Sequence, residues 1–119
     1  MTTQPDHHGH ELVPRPERTP AAVRVALARL APHRLSEMEQ HKEQALGGGP
    51  PGRQARPLQY WLTYWQAQVE IERRPGLRSR YQAALGAVQS TTGSDAPEFR
   101  AARAELRAVE SEARQAVSA

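Results

Sequence analysis

The chain has 119 residues, room for a single domain, and its 16 basic and 13 acidic residues leave a formal net charge of +3. It contains no cysteine, which excludes a disulfide framework and any thiolate metal site. No apolar run approaches the roughly 20 residues of a membrane span. The N-terminus shows no continuous apolar stretch of the kind a secretory signal carries, and a cysteine-free chain suits a cytoplasmic location. Alanine supplies 19 residues, and Leu, Ile, Val and Phe together only another 19. The expected core is therefore thin, with a net stability of about a few kcal/mol, and such a domain gains from a partner. Fifteen of the basic residues are arginine. The bias runs through the whole chain, as codon usage in a GC-rich genome produces, so selection for phosphate recognition is the lesser explanation.

Residues 1–18 hold Pro5, Pro14, Pro16 and three histidines with no helical or strand period, and read as a disordered tail. Thr19-Pro20 supplies an N-cap and a proline at the first helical position. Val23, Leu27 and Leu30 then mark a first helix over about residues 20–31, stopped by Pro32. A second helix begins near Leu35-Ser36, where Ser36 and Glu39 fit a capping box. Its apolar stripe is weak, and Gly47–Gly52 ends it.

The third helix opens at Pro57 and runs to about Arg74. At about 100° per residue, Leu58, Trp61, Leu62, Trp65 and Val69 fall on one face. Tyr60, Tyr64, Ala67 and Ile71 fall on the opposite face, and Gln59, Thr63, Gln66, Glu70 and Arg73 form a polar strip between them. A helix apolar on two opposed faces is central in a bundle or covered by a partner on one side. Glu70 is expected to face solvent.

Arg74-Pro75-Gly76 breaks the chain. Leu77, Tyr81, Ala84, Leu85 and Val88 mark a fourth amphipathic helix. Residues 90–96 form a loop with Asp95 as the expected N-cap. A fifth helix over about residues 97–116 carries Phe99, Ala102, Leu106, Val109, Ala113 and Ala116 at 3–4 spacing. Half of that seam is alanine, so docking onto the fourth helix as an αα-hairpin, or onto another chain, is expected rather than an isolated coiled coil. The reading is an all-α bundle of four to five helices around a central aromatic-rich helix. Its divisions are a tail (1–18), a helical domain (19–90) and a C-terminal loop and helix (91–119).

Chemistry-bearing residues are sparse. Asp6-His7-His8-Gly9-His10 lacks the fixed geometry that a metal site needs and reads as a surface tail. His33 and His41 have no serine, cysteine or carboxylate at a spacing that suggests a relay. Glu37 with His41 is the nearest approach to a carboxylate–histidine metal motif. Gly47–Gly52 lacks the lysine and hydroxyl residue of a P-loop. No catalytic, cofactor-binding or metal-ligating residues are assigned, no cofactor is expected, and the chain does not read as an enzyme.

Charge gives two candidate surfaces. Residues 53–80 hold six arginines against Glu70 and Glu72. This makes Arg73, Arg74, Arg78 and Arg80, around the junction of the third and fourth helices, the candidates for meeting nucleic-acid phosphates. A cation at a helix C-terminus also offsets the macrodipole, which is the ordinary reading of Arg73 and Arg74. The second surface is Tyr60, Tyr64 and Ile71, since tyrosine suits an interface where one edge stays wet.

The runs Val23-x3-Leu27, Leu35-x2-Met38-Glu39 and Ala45-Leu46, then Pro57-Leu58-x2-Trp61-Leu62-x2-Trp65 and Arg74-Pro75-Gly76-Leu77, resemble an uncharacterised family of short actinobacterial helical proteins. The resemblance covers about residues 20–85. It implies an all-helical fold and, from the small toxin genes near some members, an antitoxin-like or regulatory role; it assigns no functional residues. The Gly-Pro linker and the fifth helix depart from the family pattern. The expected function is thus a non-catalytic protein-interaction module, binding a protein partner or a second copy through Tyr60, Tyr64 and Ile71. The alternative is a nucleic-acid-binding regulator using the four arginines.

Overall fold

Prolines in the first turn open three helices, at Pro20, Pro75 and Pro97, and the five helices of the described residues form an all-α bundle. The structure is a computed structural model, and it describes residues 13–47, 52, 55–93 and 95–118. α1 spans Pro20–Leu30, and the Thr19 hydroxyl accepts the Ala22 N–H at 3.1 Å as its cap. A 3-10 turn at Pro32–Arg34 leads directly into α2, Leu35–Leu46. α3 spans Ala55–Arg73, α4 Pro75–Ser90 and α5 Pro97–Ser118. There is no strand among the described residues.

Three boundaries differ from expectation. α2 has Arg34 at its N-cap position and no side-chain cap; the preceding 3-10 turn feeds the helix, so Ser36 lies inside it. α3 begins at Ala55, which puts Pro57 third in the helix, still within the first turn, where no intrahelical N–H is required. α5 begins immediately after Ala96, so Asp95 sits one residue ahead of the cap position. The His-containing run at 6–10 lies outside the described residues, as does most of the Gly-Pro linker.

α3 is the central element and packs on α1, α2, α4 and α5. Its two apolar faces are covered by two separate clusters. Trp61, Leu62, Trp65 and Val69 pack with Val23, Ala26 and Leu27 of α1 and Met38 of α2. Ala67 and Ile71 pack instead with Leu77 of α4 and Val109 and Ala113 of α5. α5 therefore docks within the chain, along both α4 and α3.

Residues 13–18, expected to belong to a disordered tail, instead form an arm laid on α3. Val13 enters the first cluster. Arg15 donates twice to the Glu70 carboxylate, both at 3.0 Å. Arg18 donates to Gln66 at 2.7 Å, Thr63 at 2.8 Å and Gln59 at 3.0 Å. The polar strip of α3 is thus roofed by the arm, and the Glu70 side chain is 0% exposed rather than facing solvent.

Candidate functional site

The expected partner face separates into three environments along α3. Ile71 is fully buried beneath α5, so an element of the chain itself covers that end. Tyr64 is half-buried against the first cluster, with its ring edge-on to His41 at 5.1 Å and to Trp65 at 5.4 Å. Tyr60 stands in solvent at 78% exposure. Between α2 and α3, Tyr60, Trp61, Tyr64, Ala45, Pro57, Arg56 and His41 line an open, mostly apolar groove of 440 Å³. A more polar hollow of 350 Å³ continues from it, past His41 and Tyr64 to Glu37, Gln40 and Gln44.

The floor of the groove is held by hydrogen bonds on the buried edges of its aromatic rings. Trp61 donates its indole N–H to the Met38 carbonyl at 3.2 Å, and Trp65 donates to His41 Nδ1 at 2.9 Å. Lys42 Nζ lies 5.3 Å from the Trp61 ring centroid, within reach of a cation–π attraction. These contacts tether two lining residues, Trp61 directly and His41 through Trp65 behind it, and such preorganisation lowers the ordering cost of binding. His41 was isolated in the sequence; its partner lies 24 residues away, a distance that local spacing does not reveal.

Behind the groove, a polar seam separates the two apolar clusters. Arg34 is buried at its centre. It pairs with Glu37 at 3.1 Å and Glu72 at 3.2 Å, and its guanidinium lies 5.0 Å from the Trp65 ring centroid and 6.0 Å from that of Tyr81. Burial works against the Arg34 charge, and the Glu37 hydrogen bond with the surrounding carboxylates outweighs it, so its pKa is raised. Gln68, 1% exposed, donates to Glu110 at 3.3 Å, and its own Oε1 has no hydrogen-bond partner among the described residues. Burial pushes the Tyr64 phenol up to about 12, with Tyr81 and Glu110 adding to the rise. The Tyr81 phenol is raised by burial too.

The four junction arginines do not form one surface. Arg73 donates to Glu70 at 3.0 Å and to the Val13 carbonyl at 3.2 Å, while Arg74 pairs with Glu70 at 2.5 Å. Arg80 is gripped by two acids of α5, Glu105 at 2.8 Å and Glu112 at 2.9 Å. Arg78 is exposed, and its side chain has no partner among the described residues. No group of three or more His, Asp or Glu side chains is arranged to hold a metal ion among the described residues. No helix described is long and apolar enough to cross a membrane. In comparisons with known proteins, no protein-family model, curated protein or solved structure matches the chain.

Proposed function

We propose that this chain is a non-catalytic protein-interaction module that receives a partner in the groove between α2 and α3. The observation that carries the reading is Tyr60. A large aromatic side chain at 78% exposure stands at the mouth of an apolar groove with a rigid aromatic floor. Exposed aromatics beside a preformed pocket are what interface anchors are made of. Ile71 belongs to the packing of α5, so the contact surface is Tyr60 and Tyr64 with the groove walls. An antitoxin-like or regulatory role in the cytoplasm is the narrower form of this reading, and the genes adjoining this one test that form. The alternative use of Arg73, Arg74, Arg78 and Arg80 on nucleic acid draws little support, since carboxylates already occupy three of the four.

The test is site-specific photo-crosslinking in the source cell. A benzophenone side chain at position 60 is expected to give one discrete adduct, and the same group at position 29 none. Equal labelling from both positions, or no adduct at position 60 together with a concentration-independent monomer mass, removes the proposal.

A further inference from the structure

We propose that the solvent face of α5 is a contact surface for the phosphate backbone of duplex nucleic acid, separate from the aromatic groove. Arg100, Arg103, Arg107 and Arg114 stand at i, i+3, i+7 and i+14. At about 100° per residue they lie within about 60° of one another, and at about 1.5 Å per residue they span roughly 21 Å. All four are exposed. The acids of the same helix point elsewhere: Glu105 and Glu112 turn to Arg80, and Glu110 receives the Gln68 amide. α5 thus sorts its charges, acids toward α4 and α3 and arginines toward water.

No ion pair joins any of these four arginines to a carboxylate among the described residues. Arg100 donates to the Asp95 carbonyl, and Arg103 lies over the Phe99 ring, 5.9 Å from its centroid. Arg107 and Arg114 have no side-chain partner among the described residues. Elsewhere Arg15, Arg24, Arg34, Arg73, Arg74 and Arg80 each hold a carboxylate. Arg29, Arg56 and Arg78 likewise hold no carboxylate among the described residues, but they lie scattered on three helices; the α5 arginines differ in sharing one face. The row also works against its own helix. Arg100 with Arg103, and Arg103 with Arg107, are like-charge neighbours at i,i+3 and i,i+4, and a polyanion laid along them relieves that repulsion.

The kind of partner follows from what the face lacks. Beside the arginines it carries Ala104, Ser111 and Ser118, with Glu110 and Phe99 along one edge. A protein interface centres on apolar and aromatic side chains and is depleted of charge at its core, and single-stranded nucleic acid is held by aromatic rings on which bases stack. The strip has no apolar centre, and its one bordering aromatic, Phe99, is half-buried beneath Arg103, so there is no row of rings on which successive bases could stack. Guanidinium forks suit phosphate oxygens, and a straight row of them suits a duplex backbone read without regard to sequence.

The test is fluorescence anisotropy of the full chain with a labelled duplex of arbitrary sequence. Four phosphate contacts give a slope of about −3 to −4 in log affinity against log salt, a loss on the order of a hundredfold between 50 and 200 mM salt. The triple variant R103Q/R107Q/R114Q is expected to lose on the order of a thousandfold in affinity at 50 mM salt and to flatten the slope by about 3. The control variant R24Q/R29Q, altered on arginines of α1, is expected to change only about twofold, against a loss on the order of a hundredfold for the matching pair R107Q/R114Q. Circular dichroism checks that all three keep wild-type helicity. Equal losses in the two pairs overturn the proposal, as does absence of binding by the wild type at 50 mM salt. Binding of poly-glutamate as tight as that of duplex also overturns it and assigns the strip to an acidic protein.

Discussion

Trp65 and His41 lock α3 to α2 through one hydrogen bond, indole N–H to imidazole Nδ1 at 2.9 Å. The bond fixes the tautomer, because Nδ1 has to be bare to accept and the ring proton therefore sits on Nε2. Trp65 is fully buried, so its N–H has no water to turn to when the acceptor is removed. His41→Ala is expected to cost about 1–3 kcal/mol, the penalty of a buried unsatisfied donor. His41→Gln, which restores an acceptor, is expected to recover part of it. Urea unfolding followed by tryptophan fluorescence measures both; equal midpoints for the wild type and His41→Ala contradict the assignment.

Glu70 makes the fold acid-sensitive. Burial pushes its carboxyl up, but the hydrogen bond from Arg15 and the charges of Arg73, Arg74 and Arg15 outweigh burial and hold it below the usual carboxylate range. A lowered folded value means that the unfolded chain takes up the proton first. The stabilisation is therefore complete above a pH of about 4.3 and is lost as pH falls through the folded value. Glu70→Gln is expected to lower stability at pH 7 and to flatten the decline below pH 4. All three guanidiniums retain some exposure and can recover water, so the loss at pH 7 is expected near the low end of the 3–5 kcal/mol typical of a broken buried pair, about 2–3 kcal/mol. The same variant should speed tryptic cleavage after Arg18, since it releases the arm.

Arg34 and Glu72 are a buried pair that cannot be broken from one side cheaply. Arg34→Met keeps an apolar stem against Trp65 but strands the Glu72 carboxylate, and about 3–5 kcal/mol of destabilisation is expected. Adding Glu72→Gln to that variant should restore a large part. A double-mutant cycle with a coupling below about 0.5 kcal/mol would contradict the pairing.

Tyr64 sets a limit on the alkaline side. Its folded value of about 12 exceeds the ordinary tyrosine value of about 10, so the unfolded chain ionises first and stability falls as pH rises from about 10 to 12. Absorbance titration at 295 nm should contain a component near 12 that disappears in Tyr64→Phe. An unchanged curve in that variant refutes the assignment.

Local chemistry made the helices legible in the sequence. Thr19-Pro20, Arg74-Pro75 and the loop before Pro97 mark starts that the backbone obeys, and the wheel of α3 separated its two apolar faces before any packing was known. Roles decided by distant contacts were not legible. Arg15 and Arg18 read as tail residues because their partners lie 41 to 55 residues on, and Glu70 read as solvated because nothing near it announces a roof. The junction arginines looked free because Glu105 and Glu112 reach Arg80 only after α5 folds back. The arginine strip of α5 was accessible to the same wheel used on α3; the near-neutral sum of that segment concealed its segregation.

The polar seam around Gln68 and Glu72 divides α3 between two neighbourhoods, one built with α1 and α2 and the other with α4 and α5. Cooperative unfolding spreads through apolar contact, and that contact is interrupted here. One continuous helix therefore serves two clusters on opposite faces, and its amides between Ala67 and Ile71, where both clusters meet the same turn, should show the strongest hydrogen-exchange protection of the helix. Strain applied by a guest in the aromatic groove would reach α5 across the width of α3, making that helix the wall shared by two rooms.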